Sequence, residues 1–332
     1  MEQTTVLGSW DNSTSKEEIS TRTLHQVGAP LVATLGFIAN TLILIAVLKA
    51  KLYRQNVILF VLNLVINNAL VCATSLPYIA VMAFSYSGEV NLALCQFMGY
   101  ITYSIIASEL LGLNLVAINR YFLIVRYRTY LEIYNKKKNI AIMIALSWIV
   151  YPVLMVFPAT NVWGSMSYDR YKFLCHPFKA NDSFGKFLAG FALLTTVPLI
   201  IFGYISILPK VFKTNQQVNL TRSNDKPRKR EVRLVSLVIV LLSTFCFMYL
   251  PFAIMSIIDP TTSLYDPKIH ISFVYVAWAH CLVNPLLYAV MNRQIRRAIK
   301  DLFLVPGGKN AVSGITTVNH SRTDLTTNDT GL

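Results

Sequence analysis

Seven apolar runs set the limits on what this chain can fold into. They lie at about residues 27–47, 57–83, 94–125, 140–157, 187–208, 234–258 and 269–291. A bilayer core about 30 Å thick is crossed by about 20 helical residues, so each run is long enough to span it. In lipid each span must satisfy its own backbone polar groups, which selects helix. Prolines at 77, 152, 198, 251 and 285 interrupt several runs. Neighbouring helices or water can take up the carbonyls these prolines free. With 54% hydrophobic and 14% charged residues, the chain does not read as an ordinary soluble domain. The expectation is an all-α membrane protein, one bundle of seven transmembrane helices with no second domain.

The net charge of +14 raises the possibility of nucleic acid, but its distribution excludes it. Of the 30 Lys and Arg, 23 fall in 49–54, 120–138, 210–233 and after Met291, which alternate with the runs as one set of faces. The positive-inside rule puts those faces in the cytoplasm and the N-terminus outside, in the plasma membrane. The domains then read as an extracellular N-terminus over 1–26, the bundle over 27–291, an amphipathic membrane-surface helix over 292–304 and a disordered cytoplasmic tail over 305–332. Asn12 and Asn181 head glycosylation sequons on outside faces, although Asn219 heads an equally good one inside. Cys95 and Cys175 are the two cysteines predicted outside, in an oxidising compartment. They read as a disulfide pinning the longest external loop over the bundle mouth, the alternative being a loop cysteine that stays free.

Glu109 lies within the third run, eleven residues before Arg120, or roughly 16 Å along a helix. That places a carboxyl near the bilayer midplane, where it costs on the order of 2.5–3.5 kcal/mol and must face protein or water. Asn40, Asn68 and Asn284 fall at similar depth on three other spans. The layer reads either as interhelical glue or as a cation or proton site at Asn68, Glu109 and Asn284. No metal cluster is expected otherwise, since the five histidines are scattered along the chain. At the inner end, Arg120 and Glu231 can pair across two helix ends, or stand as two solvated charges.

In chain order, these residues resemble the rhodopsin-like G-protein-coupled receptors over about 27–303. Gly36–Asn40 resembles the family's first-span asparagine motif, and Asn63–Asn68 its second-span NLxxxD. Asn119-Arg120-Tyr121 resembles DRY, and Trp148 and Pro198 fit the fourth and fifth spans. Phe245–Phe252 resembles FxxCWxPF, and Asn284-Pro285-Leu-Leu-Tyr288 is an intact NPxxY. NRY with a tyrosine in the sixth-span motif resembles the melatonin-receptor-like branch and the trapped-in-endoderm and moody group.

The resemblance implies a cell-surface receptor, not an enzyme, that binds an extracellular ligand and opens its cytoplasmic face to a heterotrimeric G protein. Arrestin would be a further partner, recruited by phosphorylated hydroxyls in the tail, and membrane lipids would hold the amphipathic helix. Asn119, Arg120, Tyr121, Glu231, Asn284, Pro285 and Tyr288 would form the activation switch. The ligand would meet Thr102, Tyr103, Ile106, Tyr249, Phe252, Met255, Tyr275 and Trp278. Thr102 stands where amine receptors carry an aspartate, so an apolar or anionic lipid-like ligand is expected. The departures are specific: Asn68 for the sodium-site aspartate, Glu109 for a serine of that site, Asn119 for the DRY aspartate and Tyr249 for the switch tryptophan. A retinal Schiff base is excluded, because 269–291 contains no lysine. The other function class is a transporter using Glu109, against which no inverted repeat is visible.

Overall fold

The computed structural model describes residues 12–85, 90–177, 183–195 and 226–304, side chains of 12–17, 226–238 and 242 excepted. Its first helix, α1 (Asn12–Lys49), begins well before residue 27. The second run divides into α2 (Asn56–Ala73) and α3 (Ser75–Phe84). Pro77 lacks the N–H that would bond the Ala73 carbonyl, and the break falls at Thr74. Then follow α4 (Leu92–Val125), α5 (Tyr127–Tyr134) and α6 (Lys137–Ala159). A hairpin of β1 (Ser167–Asp169) and β2 (Leu174–His176) pairs Tyr168 with Cys175. The described part of the fifth run is α7 (Ser183–Thr195), and α8 (Lys226–Ile258) carries the sixth. The seventh comprises α9 (Pro267–Trp278) and α10 (His280–Met291), and α11 (Arg293–Phe303) follows.

Six of the seven expected spans are described at membrane-crossing length: 18–49, 56–84, 92–125, 137–159, 239–258 and 267–291. The described α7 is a shorter apolar helix. Apolar side chains cover much of the outside, as lipid-facing helices require. On α6, Ile142, Leu146, Ile149 and Val153 are all exposed while Ser147, Tyr151 and Met155 turn inward. The inner core gathers Ile43, Phe60, Leu64, Leu113 and Tyr288, and the outer core gathers Leu76, Ile79, Phe173 and Trp278. By the charge argument, the end holding β1 and β2 is called outer below.

The bounds read from the sequence differ most at the start. Residues 18–26 are not a free N-terminal segment but the outer turns of α1, with Glu18, Thr21 and His25 buried. The Arg22 guanidinium donates to the Ala83 carbonyl at 2.7 Å, and the Gln26 amide donates to the same oxygen at 3.0 Å. His25 Nε2 faces the Tyr171 carbonyl at 2.9 Å, so it carries the proton, and its Nδ1 accepts from the Tyr275 hydroxyl at 2.9 Å. These side chains are polar, and so hydropathy alone began the span too late. The tail over 305–332, and the side chain of Asn12 and the whole of Asn181, lie outside the described residues.

The amphipathic helix forms as expected. Asn292 caps it, its side-chain oxygen accepting from the amides of Gln294 (3.0 Å) and Ile295 (3.3 Å). Ile295 and Ala298 are buried, while Arg293, Arg296, Arg297 and Lys300 give the other face its charge. A basic amphipathic helix of this kind suits the membrane surface.

Candidate ligand cavity and switch site

At the outer end a cavity opens between α4, α8 and α9. Thr102, Tyr103, Ile106, Tyr249, Phe252 and Trp278 line it, with Val274 and Ala277, under Lys172 and Leu174 of the hairpin. Six of the eight side chains expected from the sequence are therefore brought together. Tyr275 is not among them. On α9, Val274, Ala277 and Trp278 point to the cavity, so Tyr275 faces α1 and bonds His25. Met255 lies a turn further out on α8 and lines neither this cavity nor the next.

The hairpin is held as a lid. Cys95 and Cys175 form a disulfide with Cα atoms 5.4 Å apart, and both are fully buried. Gly99, one turn along α4, lets the two elements meet, because a Cβ there would run into the Cys175 carbonyl. Asp169 gathers the lid polar groups: the Lys172 ammonium at 2.6 Å, the Thr262 hydroxyl at 3.1 Å and the Tyr171 amide at 2.8 Å. Burial pushes the Asp169 carboxyl up, but Lys172, His176 and those hydrogen bonds outweigh it and hold it below the usual carboxylate range. The Lys172 ammonium reaches Thr262 as well, at 3.1 Å, tying the lid to the loop between α8 and α9.

A second cavity runs inward and sideways between α4, α6, α7 and α8. It shares Tyr103, Ile106, Tyr249 and Phe252 with the first and continues along Leu110, Tyr151, Met155, Leu188 and Phe245. Its described walls are nearly all apolar. Nothing in the sequence marked it, since a Leu or Met lining a cavity is indistinguishable from one packing a core.

Below the outer cavity lies the polar layer. Glu109 is fully buried; its Oε1 accepts from the Asn284 side-chain amide at 3.3 Å, and its Oε2 lies 2.6 Å from His280 Nε2. Tyr249 bridges layer and cavity, its hydroxyl 3.0 Å from His280 Nδ1 and its ring stacked on Phe245 with centroids 4.3 Å apart. Asn68 is buried but its side-chain atoms find no hydrogen-bond partner among the described residues. Asn40 does not reach the carboxyl. Its amide donates to the carbonyls of Gly36 (2.8 Å) and Cys281 (2.9 Å). Pro285 has no N–H for the Cys281 carbonyl, so Asn40 supplies the missing donor.

At the inner end Asn119, Arg120 and Tyr288 are buried, and the Arg120 Nε and Nη1 find no hydrogen-bond partner among the described residues. Asn119 Nδ2 likewise finds no hydrogen-bond partner among the described residues, and Tyr130 of α5 faces Arg120. Burial pushes its hydroxyl up, and Arg120 pulls against that. The Glu231 side chain lies outside the described residues. Trp148 Nε1 donates to Asn63 Oδ1 at 2.6 Å, fixing the fourth span against the second.

The model of the 7 transmembrane receptor (rhodopsin family) matches residues 39–288. The chain belongs to that family. Among its relatives, the protein trapped in endoderm-1 of Drosophila melanogaster is 28% identical, the match covering 83% of this chain and 76% of that one. The G-protein coupled receptor moody of the same fly is 23% identical over 88% of this chain, which spans about half (55%) of that longer protein. Melatonin receptor type 1A of Gallus gallus is 22% identical, covering 80% and 76%. The receptor is accordingly a multi-pass, G-protein-coupled cell-surface protein rather than an enzyme. That membership leaves the transport reading of Glu109 without support.

Within the receptor, sequence reasoning missed one partner. His280 had read as a packed, hydrogen-bonded histidine, and it does hydrogen-bond, to the Ala277 carbonyl and the Tyr249 hydroxyl, but its Nε2 also lies 2.6 Å from the midplane carboxyl. The available signal was depth: His280 stands four residues before Asn284, one helical turn outward, and Glu109 needed a partner at that level.

Proposed function

We propose that the receptor binds a largely apolar ligand with an anionic end and, on binding, opens its cytoplasmic face to a heterotrimeric G protein. The adjacency of the two cavities, which share Tyr103, Ile106, Tyr249 and Phe252, carries this reading. A lidded outer chamber whose described lining has one cation, Lys172, lies beside an apolar channel between α4, α6, α7 and α8. Such a space suits an acidic lipid, whose head would meet Lys172 and whose tail would take the channel. Among the described residues its lining holds no carboxylate for an amine, Thr102 donates to Ser75 at 2.8 Å, and an acidic head would share Lys172 with Asp169.

Tyr249 and Phe252 line both cavities, and Tyr249 stacks on Phe245 of the inner core. A ligand that displaces Tyr249 therefore acts on α8, the helix expected to swing from α4 when the inner end opens. The N-terminus lies outside and the basic loops inside. The family resemblance would put sodium at the Asn68, Glu109 and Asn284 layer, where His280 also meets the carboxyl. Arrestin is the second inner-face partner, docking on phosphorylated tail hydroxyls opposite the basic inner surface.

The test is nucleotide exchange on a panel of purified G proteins by the receptor in nanodiscs. Fatty acids, lysophospholipids, amines and short peptides are applied in turn. An acidic lipid should stimulate exchange, and Lys172→Ala should weaken that response by about tenfold or more, as expected of a charge-assisted contact. Stimulation by amines alone would overturn the reading.

A further inference from the structure

We propose that the Glu109 site is a proton site rather than a sodium site: one proton, held between Glu109 and His280, takes the place of a bound cation. This rests on the seven-span reading and on side-chain geometry, and is independent of which ligand the receptor takes.

The close contacts of His280 fix its protonation. Nδ1 faces the Ala277 carbonyl at 2.5 Å. A carbonyl oxygen only accepts, so Nδ1 carries a hydrogen. Nε2 faces Glu109 Oε2 at 2.6 Å, both side chains being at most 1% exposed. At that distance two bare lone pairs would repel, so one of the two atoms carries a proton. With the proton on nitrogen the pair is imidazolium and carboxylate; with it on oxygen the pair is imidazole and carboxylic acid. Either way the pair has no net charge. The loss of the proton leaves a net negative charge at the midplane and the gain of a second leaves a positive one, and both are costly there.

Sodium does not fit the same donor set. A hard cation takes oxygen ligands. Here both carboxylate oxygens are faced by nitrogen groups, Asn284 Nδ2 at 3.3 Å and His280 Nε2 at 2.6 Å. A sodium ion would lie against the donor side of an amide and of an imidazole.

Among the described residues no second carboxyl group or cation faces the pair. The other titratable groups facing the pair are Tyr249 from α8, Cys281 and Tyr288 from α10, and Cys72 from α2 against Cys281. Cys281 Sγ lies 3.6 Å from His280 Nε2. From α1 the nearest polar group is Asn40, which is uncharged and bonded to backbone. Glu109 is the charge that acts on His280. His280 also opens α10 just after the break at Ala279, and its ring carries the Tyr249 hydroxyl at 3.0 Å. The proton pair therefore joins α4, α8 and α10 at one point, directly beneath a side chain that lines the ligand cavity.

The experiment is thermal unfolding of the purified full chain, with sodium chloride compared against the same concentration of N-methylglucamine chloride. The wild-type midpoint should be equal in the two salts. His280→Asn removes the internal cation and leaves room beside the carboxylate, so its midpoint should rise by about 2–4 °C in sodium. A wild-type midpoint raised by sodium to that degree overturns the proposal. In a second arm, Glu109→Gln and His280→Gln should each lower the midpoint, and the double variant should recover at least half of the combined loss, since no unpaired charge remains. Additive losses would overturn it. The wild-type midpoint should also fall towards both acid and alkaline pH, with the double variant flatter. A wild-type profile no steeper than that of the double variant overturns the proton role. Because the readout is unfolding, a failure here leaves the ligand reading standing, and the reverse.

Discussion

Trp148 Nε1 donates to Asn63 Oδ1 at 2.6 Å, a bond that joins the fourth span to the second where the lipid supplies no alternative partner. Most of α6 faces outward, so this bond is one of few specific ties on that helix. Asn63 is itself buried at 3% exposure.

We predict that Trp148→Phe lowers thermal stability by about 1–3 kcal/mol, the usual cost of orphaning a buried acceptor. The double variant Trp148→Phe/Asn63→Leu should lose less than the sum of the two single changes. Ile149→Ala, on the lipid face, serves as the control. An equal loss in Trp148→Phe and Ile149→Ala would mean that only packing is at stake.

Asn40 substitutes for the amide that Pro285 lacks. Asn40→Ala should therefore cost about 1–3 kcal/mol by leaving the Cys281 carbonyl buried and unpaired. Pro285→Ala restores a backbone N–H four residues after Cys281, and in that background the same Asn40→Ala change should cost clearly less. Midpoints of the four proteins in a double-mutant cycle decide the matter; a coupling of zero would show that the two residues act separately.

The loop between α8 and α9 should be acid-labile. Asp259 accepts from the amides of Ser263 (2.9 Å), Leu264 (2.9 Å) and Tyr265 (3.1 Å), and from His270 Nε2 (2.9 Å). Burial pushes this carboxyl up, but the four hydrogen bonds win and hold it at about 2. A free aspartate titrates at about 3.9. The folded carboxyl is the stronger acid, so its contribution is complete above pH ~4 and is lost as pH falls towards ~2. Asp259→Asn should be less stable at neutral pH and show a shallower loss of midpoint over that acid range. An unchanged acid slope would place the lability elsewhere.

The inner end predicts a change in basal signalling. Arg120 is buried and its Nε and Nη1 lack hydrogen-bond partners among the described residues, as does the neighbouring Asn119 Nδ2. Asn119→Asp gives Arg120 an adjacent anion, and should reduce ligand-independent nucleotide exchange by about threefold or more, since charge-assisted hydrogen bonds exceed neutral ones. Glu231→Ala, at the start of the sixth span, should raise it. Basal exchange that stays level in both, at matched surface expression, would remove the restraint from the account.

Much of this molecule is set by the order of its residues. Seven apolar runs dictate helices because lipid offers the backbone no partner, and basic loops fix which ends share a face. Depth is equally legible, since a helix converts residue count into distance; Glu109 could be placed near the midplane from Arg120 alone. Cys95 and Cys175 could be paired because they were the two cysteines left outside. Rotation about the helix axis is less legible, and so Tyr275 was assigned to the cavity although it faces α1. Hydropathy likewise could not place the polar but packed turn from Glu18 to Gln26. Only the tertiary structure decided that Asn40 serves Pro285 and not Glu109, and that His280 meets Glu109. Each joins residues far apart in the chain, and the direction of the side chains decides the meeting. Sequence gives the depth of a group within the membrane, but only packing gives the direction it faces, and at the midplane that direction decides whether a charge stands alone or is paired.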